Sequence, residues 1–427
     1  MAGTDPTTDE ENLWLIGIKK ELADLTAPCP SWSICKVTSK LRSTNNGDAY
    51  NPQIISIGPL HYRKDNVLDM EEHKKQYTRY FLARSAPNED QALDDCGKLV
   101  RSLDSKVRAY YARPIDFSED QLAKMLLFDG CFILELLLRY SKSEERKEYD
   151  PIFDIPWMLS VLQRDLALLE NQIPLLVLEI LFTYIARHTA KSLPPLTLLD
   201  LALYFFRPFL NNKEEIHVYS GREISHFLDL IHRSYLPSSP ESDEGSLILI
   251  SCATELRGAG IEFQKGTSKH LLDLKFENGV FEIPELDVFD STESLLRNLI
   301  AFEQCLQLEN QFVTSYAVLM DRLVNTTRDV KLLERKKIIQ NNLGAYEDIS
   351  NLLNRICKEV VVREFYFAKL SKKVNAYYEQ TCHQHRAPLK RNYFKNPWTI
   401  ISVIAASVLL SLTILQTIYS VLSYYHS

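Results

Sequence analysis

The stretch that decides the fold is Met125-Leu-Leu-Phe-Asp-Gly-Cys-Phe-Ile-Leu-Glu-Leu-Leu-Leu138. It is apolar on nearly every side of a helix, and such a helix belongs in the centre of a large core. Asp129 and Glu135 interrupt it, and it is shorter than the ~20 residues that a membrane span needs. It therefore predicts a buried central helix in a mainly α domain.

The composition is that of a globular protein. The 427 residues are 45% hydrophobic and 25% charged, with only 13 Gly and 18 Pro, which excludes collagen-like and wholly disordered chains. The net charge of −7 excludes a general nucleic-acid binder, because such a protein needs a basic surplus to neutralise phosphates. We therefore expect no nucleic-acid partner.

Local signals mark where helices begin and end near the central helix. Ser118 with Gln121 predicts a capping box at the start of helix 118–141, and Asp69 with Glu72 predicts a similar start. Residues 157–190 are another apolar helical stretch, which Pro174 interrupts.

A linker divides the chain into two predicted halves. Residues 236–246 read Leu-Pro-Ser-Ser-Pro-Glu-Ser-Asp-Glu-Gly-Ser, which is typical of a linker. We expect an acidic arm over 1–30, a helical half over 31–235 and a second half over 247–397.

The second half contains a β signal. Leu272, Leu274 and Phe276 alternate with charged residues, and Asn278-Gly279 is the dipeptide that two-residue hairpin turns favour. The sequence predicts one small β-hairpin near 271–284, so that the fold is α+β at most.

The C-terminal run is apolar and free of charge from Asn396 to Tyr425. A helix over the run from Trp398 to Tyr419 would be about 33 Å long, enough to cross a hydrocarbon core of about 30 Å. We expect a transmembrane anchor over 398–420, the alternative being a buried core helix. The residues expected to form the anchor are Trp398, Ile400, Ile404, Leu409, Leu412, Leu415 and Tyr419.

Flanking cations predict the orientation of this anchor. Lys390, Arg391 and Lys395 precede it, so the positive-inside rule places the body in the cytosol. The expected localisation is therefore a single-pass, tail-anchored membrane protein, with the plasma membrane and the endoplasmic reticulum both open as destinations. Widely spaced cysteines in that compartment favour reduced thiols.

One side of the predicted anchor carries small and polar residues. Such a face permits close contact between membrane helices, and hence homo- or hetero-oligomers. Alternatively, the hydroxyl groups bond back to their own helix. The residues of this face are Ser402, Ala406, Thr413 and Gln416.

Motifs for known chemistry are missing from the sequence. It contains no GxxxxGK[ST] loop, no GxSxG elbow and no HExxH. Cys382, His383 and His385 lie close together, but no second Cys/His pair follows at zinc-finger spacing. We therefore expect no metal, no cofactor and no catalytic residue of a known type.

Several polar residues lie within apolar surroundings and form a possible polar core or pocket. Interlocking hydrogen bonds could specify the core, or buried carboxylates with raised pKa values could perform acid–base chemistry. Both interpretations stay open at this point. The residues are Asp129, Asp165, Glu170, Asn171, Gln172, Asn298, Glu303 and Gln304.

Ordered strings over almost the whole chain resemble the plant family grouped as "domain of unknown function 247". The departure from its pattern is small: the family often has Val-Pro where this chain has Val37-Thr38. The strings are Ile34-Cys-Lys-Val37, Ala49-Tyr-Asn-Pro52, Ile55-Ser-Ile-Gly-Pro-Leu-His61, Phe128-Asp-Gly-Cys-Phe-Ile133, Leu169-Glu-Asn-Gln-Ile-Pro174, Asn298-Leu-Ile-Ala-Phe-Glu-Gln-Cys305 and Phe394-Lys-Asn-Pro-Trp398.

The resemblance implies a largely helical single-pass membrane protein with no established activity. Some grass relatives resemble male determinants of self-incompatibility, which suggests recognition or signalling as a family trait. The leading hypothesis is therefore a membrane-anchored interaction or signalling module that binds an unidentified protein partner. The alternatives are a membrane-surface enzyme that uses buried carboxylates and a small-ligand sensor.

Overall fold

The computed structural model describes most of the chain. Helices predominate and the strands are short, so the prediction of a mainly α protein is confirmed. The described residues are 15, 18–19, 32–43, 47–62, 67–85, 89–141, 150–188, 196–210, 223–237, 245–306, 308, 310–380 and 397–426.

The described residues belong to two compact units. Unit 1 takes its residues from 1–39, 50–208 and 220–231, and unit 2 takes its residues from 40–49, 209–219 and 232–427. Each unit is therefore assembled from separate pieces of chain. Residues 238–244 of the predicted linker lie outside the description, so the boundary at 236–246 stays a prediction.

Ten α-helices are described before residue 237. They are α1 (Ser39–Ser43), α2 (Met70–Leu82), α3 (Glu89–Arg101), α4 (Asp104–Ala109), α5 (Glu119–Ser141), α6 (Pro151–Asp154), α7 (Met158–Asp165), α8 (Leu175–His188), α9 (Leu198–Phe205) and α10 (Phe227–Ser234), with 3₁₀ turns at Gly47–Tyr50 and Arg207–Phe209.

Seven further helices and five strands are described after residue 245. The helices are α11 (Ala253–Gly258), α12 (Asp290–Leu306), α13 (Phe312–Leu323), α14 (Thr327–Arg335), α15 (Tyr346–Ile356), α16 (Ala368–Glu379) and α17 (Pro397–His426). The strands are β1 (Glu262–Lys265), β2 (Lys275–Glu277), β3 (Val280–Ile283), β4 (Leu286–Val288) and β5 (Ile339–Asn341).

The core of unit 1 surrounds α5, as the apolar run predicts. Phe132, Leu134, Leu136 and Leu137 are fully buried. Helices α2, α3, α8 and α9 pack around α5, and this is why it needs apolar residues on every side. The predicted central helix is therefore confirmed.

Two of the three predicted local signals are confirmed. The Ser118 hydroxyl accepts a hydrogen bond from Gln121 N–H at 3.2 Å, and Gln121 Oε1 accepts one from Ser118 N–H at 3.0 Å. The break before Pro174 separates α7 from α8. The Asp69 prediction is wrong: α2 begins at Met70, but Asp69 has helical dihedral angles and makes no capping hydrogen bond with its side chain.

The predicted hairpin is present, but it is not the whole of the β structure. Strands β2 and β3 pair antiparallel around Asn278-Gly279. β1 adds to β3 in parallel, and β4 pairs with β5 in a second, two-stranded sheet. The prediction of a single hairpin is corrected in that respect, because strands of three or four residues are too short to show a period in sequence.

Gly279 is required by the hairpin turn. Asn278 and Gly279 have φ of 51° and 82°, which is the two-residue turn that matches strand twist. A Cβ on Gly279 would lie 2.5 Å from the Tyr377 hydroxyl oxygen.

We predict that Gly279→Ala lowers the free energy of unfolding by about 1–2 kcal/mol, because alanine disfavours positive φ. The control is Gly97→Ala in α3, where a Cβ would meet open space; it should stabilise by about 0.5–1 kcal/mol, because glycine weakens helices. Urea titration followed by circular dichroism measures both. Equal effects in the two variants would contradict the role of the turn.

Asp329 joins α14 to the first turn of α11 within unit 2. Thr254 N–H donates to its Oδ1 at 2.8 Å, and the N–H and hydroxyl groups of Thr326 donate to its Oδ2 at 2.9 and 2.8 Å. Burial alone would raise the pKa of Asp329, but these hydrogen bonds outweigh it and hold the pKa below its ordinary value of 3.8.

We predict that the stabilisation by Asp329 disappears in acid. Because the pKa is lower in the folded than in the unfolded chain, the contribution is complete above the unfolded value and is lost as the pH falls through the folded one. The difference in unfolding free energy between wild type and Asp329→Asn should therefore shrink below pH 3.8. The control is Asp348→Asn, which makes the same change at an exposed aspartate. If the difference between wild type and Asp329→Asn persisted unchanged in stronger acid, the prediction would be refuted.

Candidate functional site

Five of the predicted polar residues lie in unit 1, and three of them bind a segment without regular structure. Residues 53–58, here called the irregular segment, lack helix or strand hydrogen bonds. Buried main-chain N–H groups must nevertheless find acceptors. Side chains from α5, from the end of α7 and from the loop after α7 supply them.

Asp165, the last residue of α7, accepts hydrogen bonds from three consecutive N–H groups. Those of Gln53, Ile54 and Ile55 lie 2.9–3.2 Å from its carboxylate oxygens. Arg164 Nη1 lies 2.7 Å from Oδ1. Burial raises the pKa of Asp165, against the opposing effect of these hydrogen bonds and of Arg164.

Asn171 continues the pattern at the next residues of the segment. Its Oδ1 accepts from Ile57 N–H at 2.7 Å, and its Nδ2 donates to the carbonyl of Ile55 at 3.0 Å. The side chain thus pairs with the segment as a neighbouring strand would. Gln172 is the next residue along the chain, but its side-chain amide binds the loop after α7. It donates to the carbonyls of Leu166 and Leu168 at 2.8 and 2.7 Å and so closes that loop.

Asp129 of α5 binds the end of the segment together with Lys74 of α2. Its Oδ2 accepts from Gly58 N–H at 2.8 Å, and its Oδ1 lies 2.8 Å from Lys74 Nζ. Lys74 also donates to the Ser56 carbonyl at 2.5 Å and lies 2.7 Å from Glu71, which uses all three of its donors. Burial raises the pKa of Asp129, although Lys74 opposes this effect.

Gly58 cannot carry a side chain at this position. Its φ is +70°, and a Cβ would lie 2.6 Å from the Gln172 carbonyl oxygen. The glycine in Ile55-Ser-Ile-Gly-Pro-Leu-His61 is therefore required by the close approach of two main chains.

Glu170 binds the chain on either side of the irregular segment. Its Oε1 accepts from Val37 N–H at 2.6 Å, and its Oε2 lies 3.1 Å from His61 Nε2. Glu170 and His61 are both buried. Their separation would suit proton transfer, but the carboxylate is already engaged with the main chain.

The remaining three predicted residues lie in unit 2. Buried Glu303 accepts from the N–H groups of Val313 and Thr314 at the start of α13, at 2.9 and 2.8 Å, and lies 2.8 Å from His232 Nε2. Asn298 donates to the Ala49 carbonyl at 2.9 Å. Gln304 lies at the surface and exchanges two hydrogen bonds with the main chain of Val361.

A buried ionic cluster in unit 1 was not anticipated from the sequence. Arg139 lies 2.7 Å from both Glu135 and Asp150, and its guanidinium carbon lies 4.8 and 4.4 Å from the ring centroids of Tyr77 and Tyr80. Spacing within α5 could have indicated only the Glu135–Arg139 pair, because the other partners are distant in sequence.

A small hollow lies on unit 1 beside the irregular segment. It holds about 220 Å³ and is lined mainly by Ile34, Pro59, Leu60, Tyr111, Ile115 and Phe117. This volume is below the ~300 Å³ at which ligand pockets usually begin. Asp129, Asp165 and Glu170 do not line this hollow. They do not line a second hollow, which lies in unit 2, either.

The predicted anchor forms the helix α17. Large apolar side chains along it are at least half exposed, among them Ile401, Ile404, Leu409, Leu412 and Leu415. Over the residues that the structure describes, however, no helix has the length and apolarity that crossing a membrane requires. The transmembrane assignment over 398–420 thus goes beyond what is shown.

At least part of the predicted association face of α17 bonds within its own helix. The Thr413 hydroxyl donates to the Leu409 carbonyl at 2.8 Å, which is the alternative that the sequence left open. Ser402, Ala406 and Gln416 are exposed. Association through this face stays a prediction.

The described cysteine and histidine residues form neither a disulfide nor a metal site. Cys35, Cys96, Cys131, Cys252, Cys305 and Cys357 form no disulfide. Within the same residues no group of His, Cys, Asp and Glu could hold a metal ion. The Cys382, His383 and His385 cluster lies outside the description.

Comparison with known protein families shows which family this chain belongs to. The chain belongs to DUF247, a family described as plant protein of unknown function, whose pattern matches residues 34–412. The resemblance stated from the quoted strings is confirmed. The single-pass membrane character that it implied is not shown by this match.

Particular relatives come from Arabidopsis thaliana. The chain is 33% identical to "UPF0481 protein At3g47200" over 408 residues, which cover 89% of this chain and 84% of the relative. It is 23% identical over 518 residues to a second UPF0481 protein, At3g02645, with 97% of this chain and 96% of that protein covered. No solved structure matches the chain.

We predict that Asp165→Asn lowers the free energy of unfolding by about 2–4 kcal/mol, because it removes a charged acceptor and sets an NH₂ group against buried N–H donors. Amides 53–55 should then exchange with deuterium faster. Exposed Asp120→Asn should change stability by less than about 0.5 kcal/mol. A stable Asp165→Asn variant with unchanged exchange would show that the carboxylate is not needed by the fold.

Proposed function

We propose that this protein is a membrane-anchored protein-interaction module, with α17 inserted in the bilayer and the body exposed to the cytosol. The observation that carries the proposal is the exposure of large apolar side chains along α17. Leu409 and Leu410 are 65% and 66% exposed, and Tyr419 is 70% exposed. A continuous apolar surface of this kind needs a cover, and lipid is the cover that we propose.

The sequence extends this surface beyond the described side chains. These are residues 401–402 and 404–419, and Trp398 and Ile400 precede them. A helix from Trp398 to Tyr419 is about 33 Å long, close to the thickness of a hydrocarbon core. Lys390, Arg391 and Lys395 before it support a cytosolic body.

The use of the buried carboxylates favours interaction over catalysis. Asp129, Asp165 and Glu170 each accept hydrogen bonds from main-chain N–H groups. Their oxygens stabilise the fold of unit 1, and so the enzyme hypothesis loses the groups on which it depended. A surface that recruits a protein partner needs no such groups.

We predict that full-length wild type resists alkaline extraction from membranes of plant cells, whereas Leu409→Arg/Leu412→Arg does not. Each arginine at the centre of a span costs about 2.5–3.5 kcal/mol. The matched control, Leu409→Ala/Leu412→Ala, stays in the membrane fraction. Equal extraction of wild type and the arginine variant would contradict the proposal.

Glycosylation at Asn325 reports on which side of the membrane the body lies. Asn325-Thr326-Thr327 is a glycosylation sequon, and Asn325 is exposed, so that an enzyme of the lumen could reach it. A cytosolic body stays unglycosylated and open to added protease in intact microsomes. A glycosylated, protected body that loses its sugar in Asn325→Gln would overturn the proposed orientation.

A further inference from the structure

The hollow of unit 1, which lies beside the irregular segment, has the size of a single small molecule. It holds about 220 Å³, which is too little for a drug-sized ligand. An apolar cavity of about 150 Å³ nevertheless binds benzene. The hollow is therefore large enough for one ring that carries a short tail.

The walls of this hollow are held in place by hydrogen bonds. Arg108 Nη1 and Nη2 donate to the carbonyls of Ile115 and Phe117 at 2.8 and 2.7 Å, and so fix the loop that follows α4. The Tyr111 hydroxyl donates to the Gln172 carbonyl at 3.0 Å. A ligand would therefore meet a surface that is already formed, and little ordering would oppose its binding.

Apolar and aromatic residues make up most of the lining. Ile34 is fully buried, and Tyr111 and Phe117 supply two aromatic side chains. The Phe117 ring also packs edge-on against Tyr62, with centroids 5.6 Å apart. Because aromatic rings pack favourably against one another in stacked and edge-on geometries, this lining favours a flat aromatic ligand.

The charged residues of the lining favour an anion. They are two cations, Lys36 and Arg113, and one carboxylate, Asp116, and all three are exposed. Neither cation forms an ion pair with any residue that the structure describes. The main-chain N–H groups of Arg113 and Ile115 also have no hydrogen-bond acceptor within the described chain. Cations and N–H donors of this kind bind carboxylates.

Other carboxylates near this loop do not line the hollow. Asp104 is paired with Arg108 at 2.8 Å. Glu223 and Glu179 act electrostatically on Tyr110, but neither is a lining residue. The lining itself therefore keeps one positive charge, from two cations and one carboxylate.

We propose that the hollow of unit 1 binds a small aromatic monocarboxylate, with its ring between the apolar walls and its carboxylate beside Lys36 and Arg113. The proposal goes beyond the proposed function, because it gives unit 1 a small-molecule ligand in addition to a protein partner. It does not depend on insertion of α17, so that the two proposals can fail separately.

The test uses full-length protein in a neutral detergent and radiolabelled phenylacetate, measured by equilibrium dialysis against the same micelles without protein. Saturable binding with a Kd of about 0.1–1 mM is expected for a ligand of this size. Unlabelled phenylacetamide has the same shape but no charge, and should compete about fivefold less well than unlabelled phenylacetate. Acetate, which lacks the ring, should not compete at equal concentration.

Two double variants locate the site. Lys36→Gln/Arg113→Gln should weaken phenylacetate binding by about fivefold, since two exposed charge interactions are lost. Arg79→Gln/Lys98→Gln removes the same two kinds of charge at exposed positions outside the hollow, and should leave the affinity within about twofold.

Four results would overturn the proposal. They are an absence of saturable binding above the micelle background, equal competition by phenylacetamide and phenylacetate, displacement by acetate, and equal affinity of the two double variants. Failure of membrane insertion would leave all these measurements unchanged.

Discussion

A buried main chain without regular structure must obtain its hydrogen bonds from side chains, and unit 1 depends on how this is done at residues 53–58. Asp165, Asn171 and Asp129 accept from five N–H groups of this segment between them. An unpaired buried N–H costs about 1–3 kcal/mol. Helices α5 and α7 are thereby joined to a segment whose own apolar side chains, Ile55 and Ile57, are also buried.

Three of the strings that carry the family resemblance describe one structural feature. Ile55-Ser-Ile-Gly-Pro-Leu-His61 contains most of the segment, Phe128-Asp-Gly contributes Asp129, and Leu169-Glu-Asn-Gln contributes Glu170 and Asn171. Asp129 and Asn171 are separated from their partners by 71 and 114 residues. The strings are thus distant in sequence and adjacent in space.

This separation explains which features the sequence could predict. The central helix, the Ser118 capping box and the Asn278-Gly279 turn depend on residues within a few positions of one another, and all three are confirmed. β1, which pairs with β3 from the other side, and the β4–β5 pair depend on long-range hydrogen bonds between very short strands. The same holds for the buried polar residues such as Asp129 and Asn171. Their apolar neighbours in sequence predict that they are buried, but the N–H groups that they accept from are distant in sequence and become known only from the fold.

Recognition through the main chain has a consequence for how this surface can diverge among relatives. Asp165 contacts the N–H groups of Gln53 and Ile54 but not their side chains, and the side chain of Gln53 is exposed. Almost any residue other than proline supplies the same N–H group. The place of residue 53 is therefore fixed by its main chain, and a change in its exposed side chain would leave this attachment intact.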